Sequence, residues 1–131
     1  MKKDIYIPEV KDVYVAAVRE FNTDFQSHDW NVYLINDGQV PLETVLIRSE
    51  GRKGEQMTAE FRHSLPLLPP QSYAKVEFLE DSVLKLNNYF TVTYFLGETL
   101  YDKRFEFPAD CILEDNAVDL PVMPTQGVLA R

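Results

Sequence analysis

Residues 30–47 read WNVYLINDGQVPLETVLI, two apolar runs of similar length separated by Asn36-Asp37-Gly38-Gln39-Val40-Pro41. Asn, Asp and Gly tolerate the positive φ that tight turns require. Proline cannot donate a ladder hydrogen bond, so one strand must stop here and the next begin after Pro41. In the first run Trp30, Val32 and Leu34 share one face while Tyr33 and Ile35 share the other, because side chains alternate across a strand. Both faces are apolar, which predicts a central strand. LETVLIRS, 42–49, is the strand that follows.

The pattern extends in both directions. VYVAAVRE (13–20) is rich in β-branched and aromatic residues and reads as a strand leading into the polar connection FNTDFQSHD; a helix through Ala16 and Ala17 is the competing reading. EGRKGEQ (50–56) reads as a flexible loop. In MTAEFRH (57–63), Met57, Ala59 and Phe61 alternate with Thr58, Glu60 and Arg62, which predicts one buried and one wet face. The prolines of LPLLPPQ (65–71) exclude helix and central strand, and SYAKVEFL (72–79) alternates Ala74, Val76 and Phe78 against Tyr73, Lys75 and Glu77. EDSVLKLNN (80–88) has room for one helical turn capped by Asp81 or Ser82. YFTVTYFLGETLYDKRFEF (89–107) is a hairpin turning at Gly97-Glu98; on its second arm Tyr101, Phe105 and Phe107 point one way and Lys103 breaks the row.

About seven short strands with turn chemistry between them, and no long amphipathic helix, predict an all-β chain: a single antiparallel two-sheet sandwich over residues 1–107, with 1–10 as a possible edge strand. A length of 131 residues fits one domain. VYLINDGQVPLETVLIRSEG (32–51) and LPPQSYAKVEF (68–78) resemble an immunoglobulin-like pattern in which a strand ending in Asn precedes a Gly turn and a Pro-Leu-x-x-Val strand. The whole chain is similar to a family of short, uncharacterised bacterial cytoplasmic proteins. The resemblance implies a sandwich used for binding or spacing and assigns no active site.

Composition narrows the function classes. The chain is 45% hydrophobic and 12% aromatic, unlike a disordered chain, and no stretch approaches the roughly 20 apolar residues that span a bilayer. Asp4, Glu9 and Asp12 interrupt any secretory signal at the N-terminus. The lone Cys111 rules out an internal disulfide and, together with the missing signal, points to the cytoplasm. A net charge of -8 argues against nucleic-acid and membrane partners, which draw affinity from clustered Lys and Arg.

Candidate chemistry is sparse. His28, His63 and Cys111 lack ligand spacing, so neither a metal nor a nucleophilic role is expected. Glu80-Asp81, Glu114-Asp115 and Asp110 lack the spacing of a calcium loop and read as solvated loops. Arg48, Arg52 and Lys53 could hold an anion or an acidic peptide, although solubility is the plainer role. Trp30 reads as core; Tyr33, Tyr94 and Tyr101 could line an aromatic groove.

The C-terminal stretch PADCILEDNAVDLPVMPTQGVLAR (108–131) mixes acidic residues with Ile112, Leu113, Val118, Leu120, Val122, Met123, Val128 and Leu129. Pro121 and Pro124 prevent helix through its middle, leaving an extended tail that either covers its own domain or adds a strand to a partner. The leading expectation is a non-catalytic protein-interaction or adaptor domain, with a protein partner or a homodimer contacted through Leu120, Pro121, Val122, Met123, Val128 and Leu129. A second is a small-ligand-binding domain or modest enzyme, with Arg62 and His63 in a pocket at one end of the sandwich. A third is an accessory subunit of a larger assembly. No catalytic residue, metal or cofactor is expected in the leading reading.

Overall fold

The computed structural model describes residues 8–131. Residues 8–11 are not strand, and the remainder of the proposed N-terminal edge strand lies outside the described residues. The strands are β1 (Val13–Asn22), β2 (Ser27–Asn36), β3 (Leu42–Lys53), β4 (Gln56–Met57), β5 (Phe61–Leu68), β6 (Ser72–Leu79), β7 (Asn87–Leu96), β8 (Thr99–Phe107), β9 (Val118–Asp119) and β10 (Gln126–Leu129). Single 3-10 turns at Asp81–Val83 and Glu114–Asn116 are the helical pieces among the described residues.

Sheet I runs β6-β2-β1-β10-β9. In sheet II β3 pairs β7, β7 pairs β8, and the other edge of β3 carries β4 and β5 in succession. All pairings are antiparallel, and the two sheets pack as a sandwich, as the sequence predicts. Val13, Val15, Ala17, Trp30, Val32 and Leu34 from sheet I meet Leu42, Val45, Ile47, Phe90, Val92, Tyr94, Phe105 and Phe107 from sheet II. Each such side chain contributes about 1.5–3 kcal/mol on burial, so this shared core dominates the stabilisation.

The competing helix through Ala16 and Ala17 does not form. Val13, Val15 and Val18 favour extended backbone, and β1 pairs with β2 from Val13↔Asn36 to Asn22↔Ser27. Asn22 Oδ1 closes that hairpin by accepting from the amides of Asp24 at 3.0 Å and Phe25 at 3.3 Å, the local turn bond for which Asn is selected.

Asn36 fixes the turn quoted at the outset. Its buried side chain donates to the carbonyls of Val40 (2.9 Å), Leu68 (3.2 Å) and Pro69 (3.0 Å) and accepts from Gly38 N at 3.0 Å. One amide group thus ties the β2–β3 turn to the Leu-Pro-Pro stretch that connects β5 to β6.

The two apolar faces of β2 have separate explanations. One face lies in the shared core. On the other, Ile35 joins Ala16 and Val18 of β1 in a second small cluster, covered by Leu120 and Met123 of the C-terminal segment. That segment is built into the sandwich: β10 pairs with β1 at Ala16↔Leu129 and Ala17↔Val128. Ala130 N then donates to Val15 O at 2.9 Å, and Arg131 exchanges backbone bonds with Glu106 of β8 at 2.9 and 3.1 Å. The chain end therefore ties sheet I to sheet II along one side.

Two expected patterns fail locally. The face of Met57, Ala59 and Phe61 is exposed, because β4 and the start of β5 hang on the outer edge of β3, where they pair only with residues 49–53. In β6, Val32 pairs with Glu77 while Tyr33 pairs with Lys75, a bulge that leaves Val76 extra. A one-residue bulge exchanges the faces that follow it. Glu77 lies opposite inward Val32, whereas Phe78 lies opposite outward Asn31 and is exposed.

Candidate functional site

The two lateral sides of the sandwich differ. Along the β1/β8 side, β10 and Arg131 occupy the strand edges. Along the other side β5 and β6 are the terminal strands of opposing sheets, and no further strand among the described residues pairs with either. Pro66 is confined to an edge strand because it cannot donate to a ladder, and Phe61–Leu65 is the longer stretch of β5 whose amides run without interruption.

A cleft of about 270 Å³ opens on this side, lined by Ser49, Gly51, Phe61, Glu77, Phe78, Glu80 and their neighbours. Phe61 and Phe78 are 54% and 49% exposed, an uncommon state for two large aromatic residues beside one cleft. The bulge turns Glu77 inward, where Oε1 accepts from the Ser49 hydroxyl at 2.5 Å and lies 2.8 Å from His63 Nε2. Only 15% of the Glu77 side chain is exposed. A carboxylate in that position demands donors, and Ser49 and His63 supply them.

This trio is not a nucleophilic triad. Its centre is the carboxylate: the Ser49 hydroxyl donates directly to Glu77 Oε1 and His63 bonds the same oxygen rather than the hydroxyl, so the three do not form the Ser–His–carboxylate relay of a triad. Arg62 leaves the group: it is exposed and pairs with Glu60 at 3.3 Å. His63 is therefore at the cleft's carboxylate, Arg62 is outside it, and the cleft opens between the sheet edges.

The other candidates are dispersed. His28 lies against Phe21 with ring centroids 5.2 Å apart. Cys111 is a partly buried free thiol whose pKa is raised by desolvation. Among the described residues no three His, Cys, Asp or Glu side chains gather where they could hold a metal ion, and Glu114 instead pairs with Arg19 at 2.8 Å. Arg52 is engaged by Glu50 at 3.2 Å, and Arg48 and Lys53 are exposed.

Trp30 is core, and Tyr33 donates to Glu20 at 2.6 Å on the outer face of sheet I. Tyr94 and Tyr101 stack at 5.2 Å and line an end cavity of about 240 Å³ with Asp12 and Asn36. The Tyr94 hydroxyl is buried with no hydrogen-bond partner among the described residues. Of the tail residues proposed as partner contacts, Leu120, Met123 and Val128 are buried against their own domain, and Pro121, Val122 and Leu129 are half-buried.

Sequence reasoning missed Ser49, Glu77 and Phe78. One signal was present: Phe78 and Leu79 are consecutive, so only one of them can face inward. Leu79 does, which reverses the expected faces of Glu77 and Phe78. Among the described residues no helix is long and apolar enough to cross a membrane. No family model, curated protein or solved structure matches the chain.

Proposed function

We propose that this chain is a non-catalytic protein-interaction module, an immunoglobulin-like sandwich of the cytoplasm, whose contact surface is the β5–β6 edge. The observation that carries the reading is the asymmetry of the two sides: one is occupied by the chain's own C-terminus, while the other presents half-exposed Phe61 and Phe78 around a cleft. An uncovered edge with intact amides accepts an added strand, and exposed aromatic residues anchor it. The tail supports this surface from behind by completing the domain. A heterologous partner fits better than a second copy, because a net charge of -8 opposes self-association.

The test is a pull-down from native lysate using the full chain and two double variants, Phe61→Ser/Phe78→Ser and Leu100→Ser/Leu113→Ser, each confirmed as folded by thermal melting. The reading expects one stoichiometric protein retained by the parent and the Leu100/Leu113 variant and lost from the Phe61/Phe78 variant. Equal retention by all three overturns it.

A second reading, a small-ligand domain, is favoured by the unpartnered Tyr94 hydroxyl beside the end cavity. It expects a ligand-dependent rise in melting temperature that Tyr94→Phe abolishes.

A further inference from the structure

We propose that the β5–β6 cleft is a receptor for a single cationic side chain, the ammonium or guanidinium of a Lys or Arg carried on an extended segment of the partner. The proposal rests on the interaction-module reading and adds the chemistry of the partner.

The carboxylate of Glu77 is half satisfied. Both described donors converge on Oε1, and no described residue bonds Oε2. Oε2 also stays within reach of solvent, since the Tyr94 hydroxyl is the sole buried, unpartnered side-chain polar atom among the described residues. An oxygen held by a rigid carboxylate, largely withdrawn from water and lacking a donor, is an acceptor prepared for a charged N–H.

The surroundings select a cation. Glu77 and Glu80 line the cleft, and no Lys or Arg does. Glu50 is already neutralised by Arg52. Phe61 and Phe78 flank the opening, where ring faces attract a cation within about 6 Å, and Phe61, Phe78, Leu79 and Val83 offer apolar wall to the methylenes of a long basic side chain. A volume of about 270 Å³ falls below the roughly 300–1,000 Å³ of drug-sized ligand sites. It has room for one long side chain.

Position favours a side chain delivered by a strand. The cleft lies beside Phe61, at the start of the part of β5 whose amides precede Pro66, and His63 of the same stretch bonds Glu77. A segment paired there sends alternate residues toward the sandwich, and one of them reaches Glu77. The acidic chain as a whole adds attraction for a basic segment at long range.

The experiment titrates the isotopically labelled full chain with four terminally capped valine pentapeptides, whose central residue is Lys, Arg, norleucine or Glu, and follows amide shifts by NMR. The expected result is saturable shifts centred on Ser49, Phe61, Glu77 and Phe78 with the Lys or Arg peptide, and affinity at least about tenfold weaker for norleucine and Glu. Glu77→Gln keeps the acceptor for Ser49 and His63 but removes the charge; it is expected to fold normally and to lose about tenfold for the basic peptide alone. Equal affinity for norleucine, shifts centred elsewhere, or no shift at millimolar peptide overturns the proposal.

The lysate pull-down separates this failure from failure of the interaction reading. A partner lost from Phe61→Ser/Phe78→Ser yet retained by Glu77→Gln leaves the module and removes the cation receptor. A partner retained by both variants removes both.

Discussion

The Ser49 hydroxyl of one sheet hydrogen-bonds the Glu77 carboxylate of the other at 2.5 Å, so a polar contact bridges the sandwich at the side where its apolar core ends. Replacing Ser49 by Ala removes one of two protein donors from a largely buried carboxylate. The expected cost is about 1–2 kcal/mol in urea unfolding, with the fold retained; an unchanged midpoint would mean that water replaces Ser49 at no cost.

Gly127 supplies the close approach by which β10 docks. A Cβ there would stand 2.8 Å from Ala17 O and 2.9 Å from Leu120 Cδ1, and the first of these neighbours is backbone. Gly127→Ala is expected to destabilise by about 1–3 kcal/mol through overpacking, read as a fall in melting temperature. A chain ending at Phe107 is expected not to fold, since it uncovers Ala16, Val18 and Ile35 and the edge of β1 together.

Asn36→Ala tests the turn that organises the fold. The substitution strands carbonyls from the β2–β3 turn and from the β5–β6 connection at once. A loss of about 2–3 kcal/mol is expected, measured by chemical denaturation; a loss within about 0.5 kcal/mol, the usual range for surface changes, would contradict this account of Asn36.

The fold was legible where local chemistry and tertiary context agree. Asn36, Gly38 and Pro41 mark a turn whatever surrounds them, and the hairpin at Gly97 carries its own positive φ of 59°. The apolar second face of β2 was legible as a fact, but its cover, Leu120 and Met123, lies far along the chain and could be identified only from the fold. The cleft was hidden because it depends on one bulge at Val76. Strand alternation assumes an unbroken register, and a single extra residue exchanges Glu77 with Phe78.

Alkaline pH should destabilise the protein through its tyrosines. Burial raises Tyr94 and Tyr33 well above the ordinary value, and the hydrogen bond to Glu20 adds to the effect at Tyr33. The folded state keeps protons that the unfolded chain releases, so stability is full below about pH 10 and falls as pH rises beyond it. Tyr94→Phe should flatten that slope and, by removing a buried hydroxyl that lacks a described partner, raise stability at neutral pH by about 1 kcal/mol. Thermal melts across pH 7 to 11 read both effects.

Native-state amide hydrogen exchange on the full chain tests most directly the claim that the C-terminus seals one side of the sandwich and leaves the other for a partner. Ala130 N and Arg131 N donate to Val15 O and Glu106 O, so their exchange should be slowed to nearly the level of the β1 and β7 core amides. Exchange at the rate of an unstructured peptide at Ala130 and Arg131 would show that the segment is not part of the domain, and the asymmetry on which the proposed binding edge rests would be gone.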